Sequence, residues 1–146
     1  VALRMKQHCS NAELVVDFLK KHKEVTKVIY STEHDKPIAD RAKKYLKGGN
    51  GPMIGIELKG GIEAGKKFIE SLKMFYHVAN IGDARSLAIH PASTTHSQLN
   101  EKELAASGVT QSYVRLCIGI EHIDDIIEDL DQALNKSSKG NLKAVS

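Results

Sequence analysis

Tryptophan is absent from these 146 residues, and three phenylalanines and four tyrosines bring the aromatic share to only 5%. A nucleic-acid platform that stacks bases on rings is therefore disfavoured. Charge is nearly balanced, with 21 Lys and Arg against 18 Asp and Glu for a net +3. The lysines are scattered rather than gathered in one stripe, so no electrostatic footprint for nucleic acid is present. Cysteine is scarce too: Cys9 sits in a helical pattern and Cys117 in a strand pattern, in no metal-ligand or disulfide spacing. Both read as reduced core thiols. No apolar run approaches the roughly 20 residues of a membrane-spanning helix. No signal-peptide pattern opens the chain, which reads as cytoplasmic. It opens on Val1-Ala2-Leu3-Arg4, inside a helical pattern, and is expected to be a piece of a longer polypeptide.

Chemical motifs are missing as well. His77, His90, His96 and His122 show neither H-E-x-x-H nor C-x-x-C partners, which argues against a metal site. There is no G-x-G-x-x-G, and Gly48-Gly49-Asn50-Gly51 lacks the Lys-Ser/Thr that completes a phosphate loop. Ser93, His90 and Asp83 are the right types for a nucleophile set, but nothing in their order suggests a relay.

What is present is an ordinary globular composition, 41% hydrophobic and 27% charged, at a length that suits one domain. Met5, Cys9, Ala12, Val16 and Leu19 recur at helical spacing, predicting a helix over 3–22. VTKVIY (25–30) and MIGIEL (53–58) predict strands. Between them Pro37 suits a first helical turn whose apolar face is Ile38, Ala39, Ala42, Tyr45 and Leu46. A third helix is expected over 62–73. Short strands are expected at His77-Val78-Ala79 and Leu87-Ala88-Ile89, a brief helix around 100–106, and a strand over 113–118. Ile123, Ile126, Ile127, Leu130 and Leu134, with Asp124 and Asp125 in the first turn and Lys136 in the last, predict a closing helix. Residues 137–146 lack periodicity and are expected to form a flexible tail. The pattern predicts an α/β (α+β) sandwich, a mostly antiparallel or mixed sheet with helices on one face. Its other face then needs a partner, a further domain or another subunit.

In YVRLCI, Val114, Leu116 and Ile118 share one side and leave Arg115 and Cys117 on the other. A guanidinium there suits a carboxylate, whose two oxygens match its planar fork, although an exposed strand arginine has the same sequence. The turn Asn80-Ile81-Gly82-Asp83 offers an amide and unobstructed backbone N–H groups to an anion, or is simply a turn. Pro91-Ala92-Ser93-Thr94-Thr95-His96 is a hydroxyl-rich loop able to orient a small ligand and equally typical of a surface loop.

Residues 79–99, ANIGDARSLAIHPASTTHSQL, resemble the C-terminal domain of the cystathionine γ-synthase-like family of pyridoxal-phosphate enzymes. The similarity continues through Val114-Arg115-Leu116 and Gly119-Ile120-Glu121-His122-Ile123-Asp124-Asp125, and upstream through Lys59-Gly60-Gly61 and Glu63-Ala64-Gly65-Lys66-Lys67-Phe68. It covers about residues 3–136. Within the family, Asn80 stands where the γ-lyases commonly have serine, which points to the O-acetylhomoserine sulfhydrylase branch.

The resemblance implies the small C-terminal domain of a fold-type-I enzyme over residues 1–136, with the large N-terminal cofactor domain outside this chain. It further implies that Arg115 holds the α-carboxylate of the substrate, that Asn80 and the Ile81 backbone contact the same group, and that Thr95 supports the pocket. The reaction implied is γ-replacement: sulfide displaces acetate from O-acetyl-L-homoserine to give homocysteine, in a homotetramer. Cystathionine γ-synthase or γ-lyase activity is the alternative within the family. The family's lysine lies in a Ser-x-Thr-Lys-Tyr-like motif that Ser71-Leu72-Lys73 does not match, so by the resemblance this piece holds no pyridoxal phosphate and is inactive alone. Outside the family, the alternative is a non-catalytic module that binds a small carboxylate or a partner chain.

Overall fold

The computed structural model describes residues 1–98, 100, 103, 106 and 108–139. Helix α1 (Ala2–Lys21) leads into β1 (Val25–Ile29), α2 (Lys36–Tyr45), β2 (Met53–Leu58) and α3 (Gly61–Ser71). Then come β3 (Tyr76–His77), β4 (Leu87–Ile89), a 3-10 turn at Pro91–Ser93, β5 (Tyr113–Cys117) and α4 (Ile123–Lys139). The strands form one sheet in the order β1-β2-β5-β4-β3. Three of its pairings are antiparallel, and β3 joins the edge of β4 in parallel. The sheet is thus mixed and mostly antiparallel, as the pattern predicts.

The inner face follows from the alternation of side chains along each strand. Ile54, Ile56, Val114, Leu116 and Ala88 pack with Val16 and Leu19 of α1, Phe68 of α3, and Ile126, Leu130 and Leu134 of α4. Each fully buried large apolar side chain contributes roughly 1.5–3 kcal/mol. Both cysteines are free and buried. Helix α2 does not join this layer: Ala42 is its one buried residue, and Ile38, Tyr45 and Leu46 are exposed.

Some boundaries differ from the sequence expectation. The strand expected at 77–79 is instead Tyr76–His77, because the Val78 N–H turns back to the Tyr76 carbonyl (3.1 Å) and leaves the ladder. The closing helix runs on to Lys139, so residues 137–139 of the expected tail are helical instead. Ser137 is buried, and its hydroxyl donates to the Leu134 carbonyl (2.7 Å), which keeps the last turn helical. Residues 140–146, and most of the helix expected at 100–106, lie outside the described residues. Asn100 and Glu103, which are described, exchange the reciprocal side-chain to N–H bonds of a capping box (2.9 and 3.0 Å).

Two polar clusters hold the connections. The buried Asp129 carboxylate on α4 accepts from the N–H groups of Lys73, Met74 and Phe75 at 2.8–3.3 Å, fixing the chain between α3 and β3. The second lies at the end of β5. The Glu121 carboxylate takes the Ser86 N–H (2.6 Å) and hydroxyl (3.0 Å), the Ile120 N–H donates to the Ala84 carbonyl (2.8 Å), and the Asn11 amide donates to the Gly119 and Glu121 carbonyls. That cluster ties the 80–86 loop to β5, and so places the Asn80 turn beside Arg115.

Candidate functional site

Because directly paired residues of antiparallel strands project from the same face, the register defines rows across the outer side of the sheet. Gly55 is paired with Ile29 on one side and Arg115 on the other, and Arg115 with Ile89. The middle row therefore reads Ile29, Gly55, Arg115, Ile89, one cation among apolar neighbours. On one side stands the row Lys27, Glu57, Tyr113, and on the other Met53, Cys117, Leu87. Arg115 lies on the outer face, as the alternation predicts, and is half-buried. It lines an open groove with Ile29, His34, Ile38, Met53 and Tyr113.

Its guanidinium reaches the predicted turn. Arg115 Nη2 donates to the Asn80 backbone carbonyl at 3.4 Å, a long bond that leaves most of the fork's donors available. Among the described residues no carboxylate forms an ion pair with it. The turn itself differs from the expected cradle: Asn80 Oδ1 accepts the Ile81 N–H at 2.9 Å, so those two groups satisfy each other. The group facing Arg115 is the Asn80 carbonyl. Gly82, at φ 82°, takes a left-handed conformation that a β-carbon would strain. Asp83 is held by Arg85, whose guanidinium stacks 4.2 Å from the Tyr76 ring centroid. That pairing lowers the Asp83 pKa to about 2.

Thr95 does not join this arrangement. It is exposed, its hydroxyl pairs with His96 Nδ1 (2.8 Å), and no hydrogen bond among the described residues links it to Arg115 or Asn80. Ser93 and His90 do meet, at 2.8 Å, but the other imidazole nitrogen faces the Gln111 carbonyl (2.7 Å) and Asp83 is engaged elsewhere, so there is no triad. Among the described residues no three His, Cys, Asp or Glu side chains are grouped to hold a metal, and no helix is long and apolar enough to cross a membrane.

Sequence reasoning missed Tyr113, Gly55 and His34. A glycine inside a strand otherwise made of large residues is the signal that could have found the first two, since it marks a place where something approaches closely. A β-carbon on Gly55 would lie 2.6 Å from Cε2 and 2.8 Å from the hydroxyl oxygen of Tyr113, so the Tyr113 ring occupies that space. Burial raises the Tyr113 pKa, with Arg115 opposing and Glu57 reinforcing the shift, so the phenol stays protonated.

Comparison with known proteins bears on this geometry. The model of the Cys/Met metabolism PLP-dependent enzymes matches residues 1–135. An O-acetyl-L-homoserine sulfhydrylase of Leptospira meyeri is 50% identical over 133 residues, which are 90% of this chain and 30% of that protein. An L-methionine gamma-lyase of Fusobacterium nucleatum subsp. nucleatum is 46% identical over 134 residues, covering 92% of this chain and 34% of its own. A solved structure described as an O-acetylhomoserine (thiol)-lyase of Campylobacter jejuni, carrying a pyridoxyl-lysine group, superposes with a TM-score of 0.83 at 41% identity. The match covers 92% of this chain and 32% of that one. The chain thus spans about a third of the length of the relatives it matches.

Proposed function

Because this chain belongs to the family of Cys/Met metabolism PLP-dependent enzymes, we propose that residues 1–136 form the substrate-binding C-terminal domain of such an enzyme, with Arg115 gripping the α-carboxylate of its amino-acid substrate. The observation that carries this reading is the arginine's position: a half-buried guanidinium in an otherwise uncharged row, with no described carboxylate as partner and the Asn80 turn beside it. Such a fork forms two parallel charge-assisted hydrogen bonds with a carboxylate, fixing orientation as well as affinity. Asn80 and Ile81 border the site, while Thr95 would act only through the loop that bears it.

Pyridoxal phosphate supplies an electron sink for carbanion chemistry when bound. The residues around Arg115 do not fit that group, since the groove lining offers a guanidinium, an imidazole, two phenols and a serine hydroxyl but no lysine amine to carry it. We assign the cofactor to the rest of the polypeptide, and to this chain the task of binding and orienting the substrate. Holding the carboxylate fixes the direction of the Cα–H bond, and orientation of this kind lowers barriers by several kcal/mol.

For the whole enzyme the reading is a homotetrameric sulfhydrylase that makes homocysteine from O-acetyl-L-homoserine and sulfide. The methionine gamma-lyase relative supports a second reading with the same carboxylate grip and a different leaving group. Assays on the full-length protein, O-acetyl-L-homoserine with sulfide against L-methionine alone, separate the two. In the same protein Arg115→Ala should raise KM for the amino acid roughly 30–100-fold, the equivalent of a lost hydrogen-bonded charge pair. An unchanged KM would overturn the grip.

A further inference from the structure

We propose that Tyr113 is a positioning residue for Arg115: its ring, seated in the space left by Gly55, forms the wall that holds the guanidinium toward the bound carboxylate. The inference rests on the carboxylate reading of Arg115. An arginine on an open sheet face has four rotatable side-chain bonds, and it is directional only if its neighbours restrict them. On the β4 side that neighbour is Ile89, paired directly with Arg115 and buried. On the β2 side the paired residue is Gly55, which has no side chain to offer.

Tyr113 closes that gap. It lies two residues before Arg115 on β5, on the same face, and its own cross-strand partner is Glu57. The ring nevertheless leans one row over, so that a β-carbon on Gly55 would fall 2.6, 2.8 and 3.1 Å from its Cε2, Oη and Cζ. Among the described residues these three Tyr113 atoms are the nearest to that position. Gly55 has no left-handed φ to explain it, so space rather than backbone conformation accounts for the glycine. With the ring over Gly55 on β2 and Ile89 on β4, each strand flanking Arg115 presents a wall beside it, and the long Asn80 contact sets the remaining direction.

The full-length protein tests this with O-acetyl-L-homoserine and its α-carboxamide as probes. Tyr113→Ala should raise KM for O-acetyl-L-homoserine about ten-fold with kcat within about two-fold, and should shrink the preference for carboxylate over carboxamide. Tyr113→Phe should keep parental values, because the ring and not the hydroxyl does the holding. Gly55→Ala, which displaces the ring and deletes nothing, should move both readouts the same way as Tyr113→Ala and guards against a folding defect in the first variant. A parental KM and preference in Tyr113→Ala, or a Phe variant as impaired as the Ala variant, would overturn the proposal. If Arg115→Ala is also silent, the carboxylate grip itself has failed; if only the Tyr113 variants are silent, the positioning role alone has.

Discussion

A single side chain can stabilise this fold through what it excludes as much as through what it touches. His90 is fully buried, and α3 comes so close that a β-carbon on Gly65 would collide with the imidazole. Burial is the main reason its pKa is lowered, helped by the positive charges of Lys66 and His77 and opposed by the Gln111 carbonyl and Glu63. A group with a depressed folded pKa binds fewer protons folded than unfolded. Its contribution is therefore complete above the ordinary imidazole value of 6.5 and is lost as pH falls below it. Urea-unfolding free energies should decline with acidification over that window, more steeply in the native chain than in His90→Asn. Equal slopes would show that His90 contributes nothing to the acid sensitivity. His90 appears in the sequence as one histidine among seven, and only the fold distinguishes it. Arg115 was legible because alternation along YVRLCI sets it against Val114 and Leu116. Tyr113 was not, since its lean onto Gly55 depends on a residue 58 positions away in sequence.

At the level of elements, the connections are decided by a few polar anchors. Asp129 gathers three consecutive N–H groups of the segment between α3 and β3, which would otherwise have to satisfy themselves in a partly buried turn. Asp129→Ala should lower unfolding free energy by about 2 kcal/mol, the penalty for buried donors left without an acceptor, and Asp129→Asn by less, because one acceptor oxygen remains. Denaturant titrations of both variants measure this, and an alanine variant as stable as the parent would refute the anchor. From sequence Asp129 is one of several acids in α4, although its spacing from Ile126 and Ala133 sets it on the buried face. Its role depends on the packing of α4 against α3, which periodicity does not specify. Helix α2 makes the same point in reverse. Its amphipathic face was legible at Ile38, Ala42, Tyr45 and Leu46, yet only Ala42 is buried within the chain.

The whole molecule is a sheet with one face covered by α1, α3 and α4 and an outer face carrying Arg115 beside a groove. On the reading proposed above, the pyridoxal pocket lies in the rest of the polypeptide. Titrating the 146-residue chain with pyridoxal phosphate should yield no saturable visible band beyond the slow background of exposed lysines, whereas the full-length protein should show one. A stoichiometric band on the isolated chain would place a cofactor lysine within it and undo the division of labour proposed above.

Local patterning of the chain by itself determined the element order, the inner faces of the helices and strands, and the side of β5 on which Arg115 stands, because periods of 2 and 3.6 are properties of neighbouring residues. Only the tertiary structure decided that β3 runs parallel to β4, that the Asn80 carbonyl rather than its amide meets Arg115, and that the Tyr113 ring fills the place of a missing side chain at Gly55. Those outcomes follow from contacts between residues tens of positions apart, where strand register and loop anchoring, and no local preference, set which atoms meet.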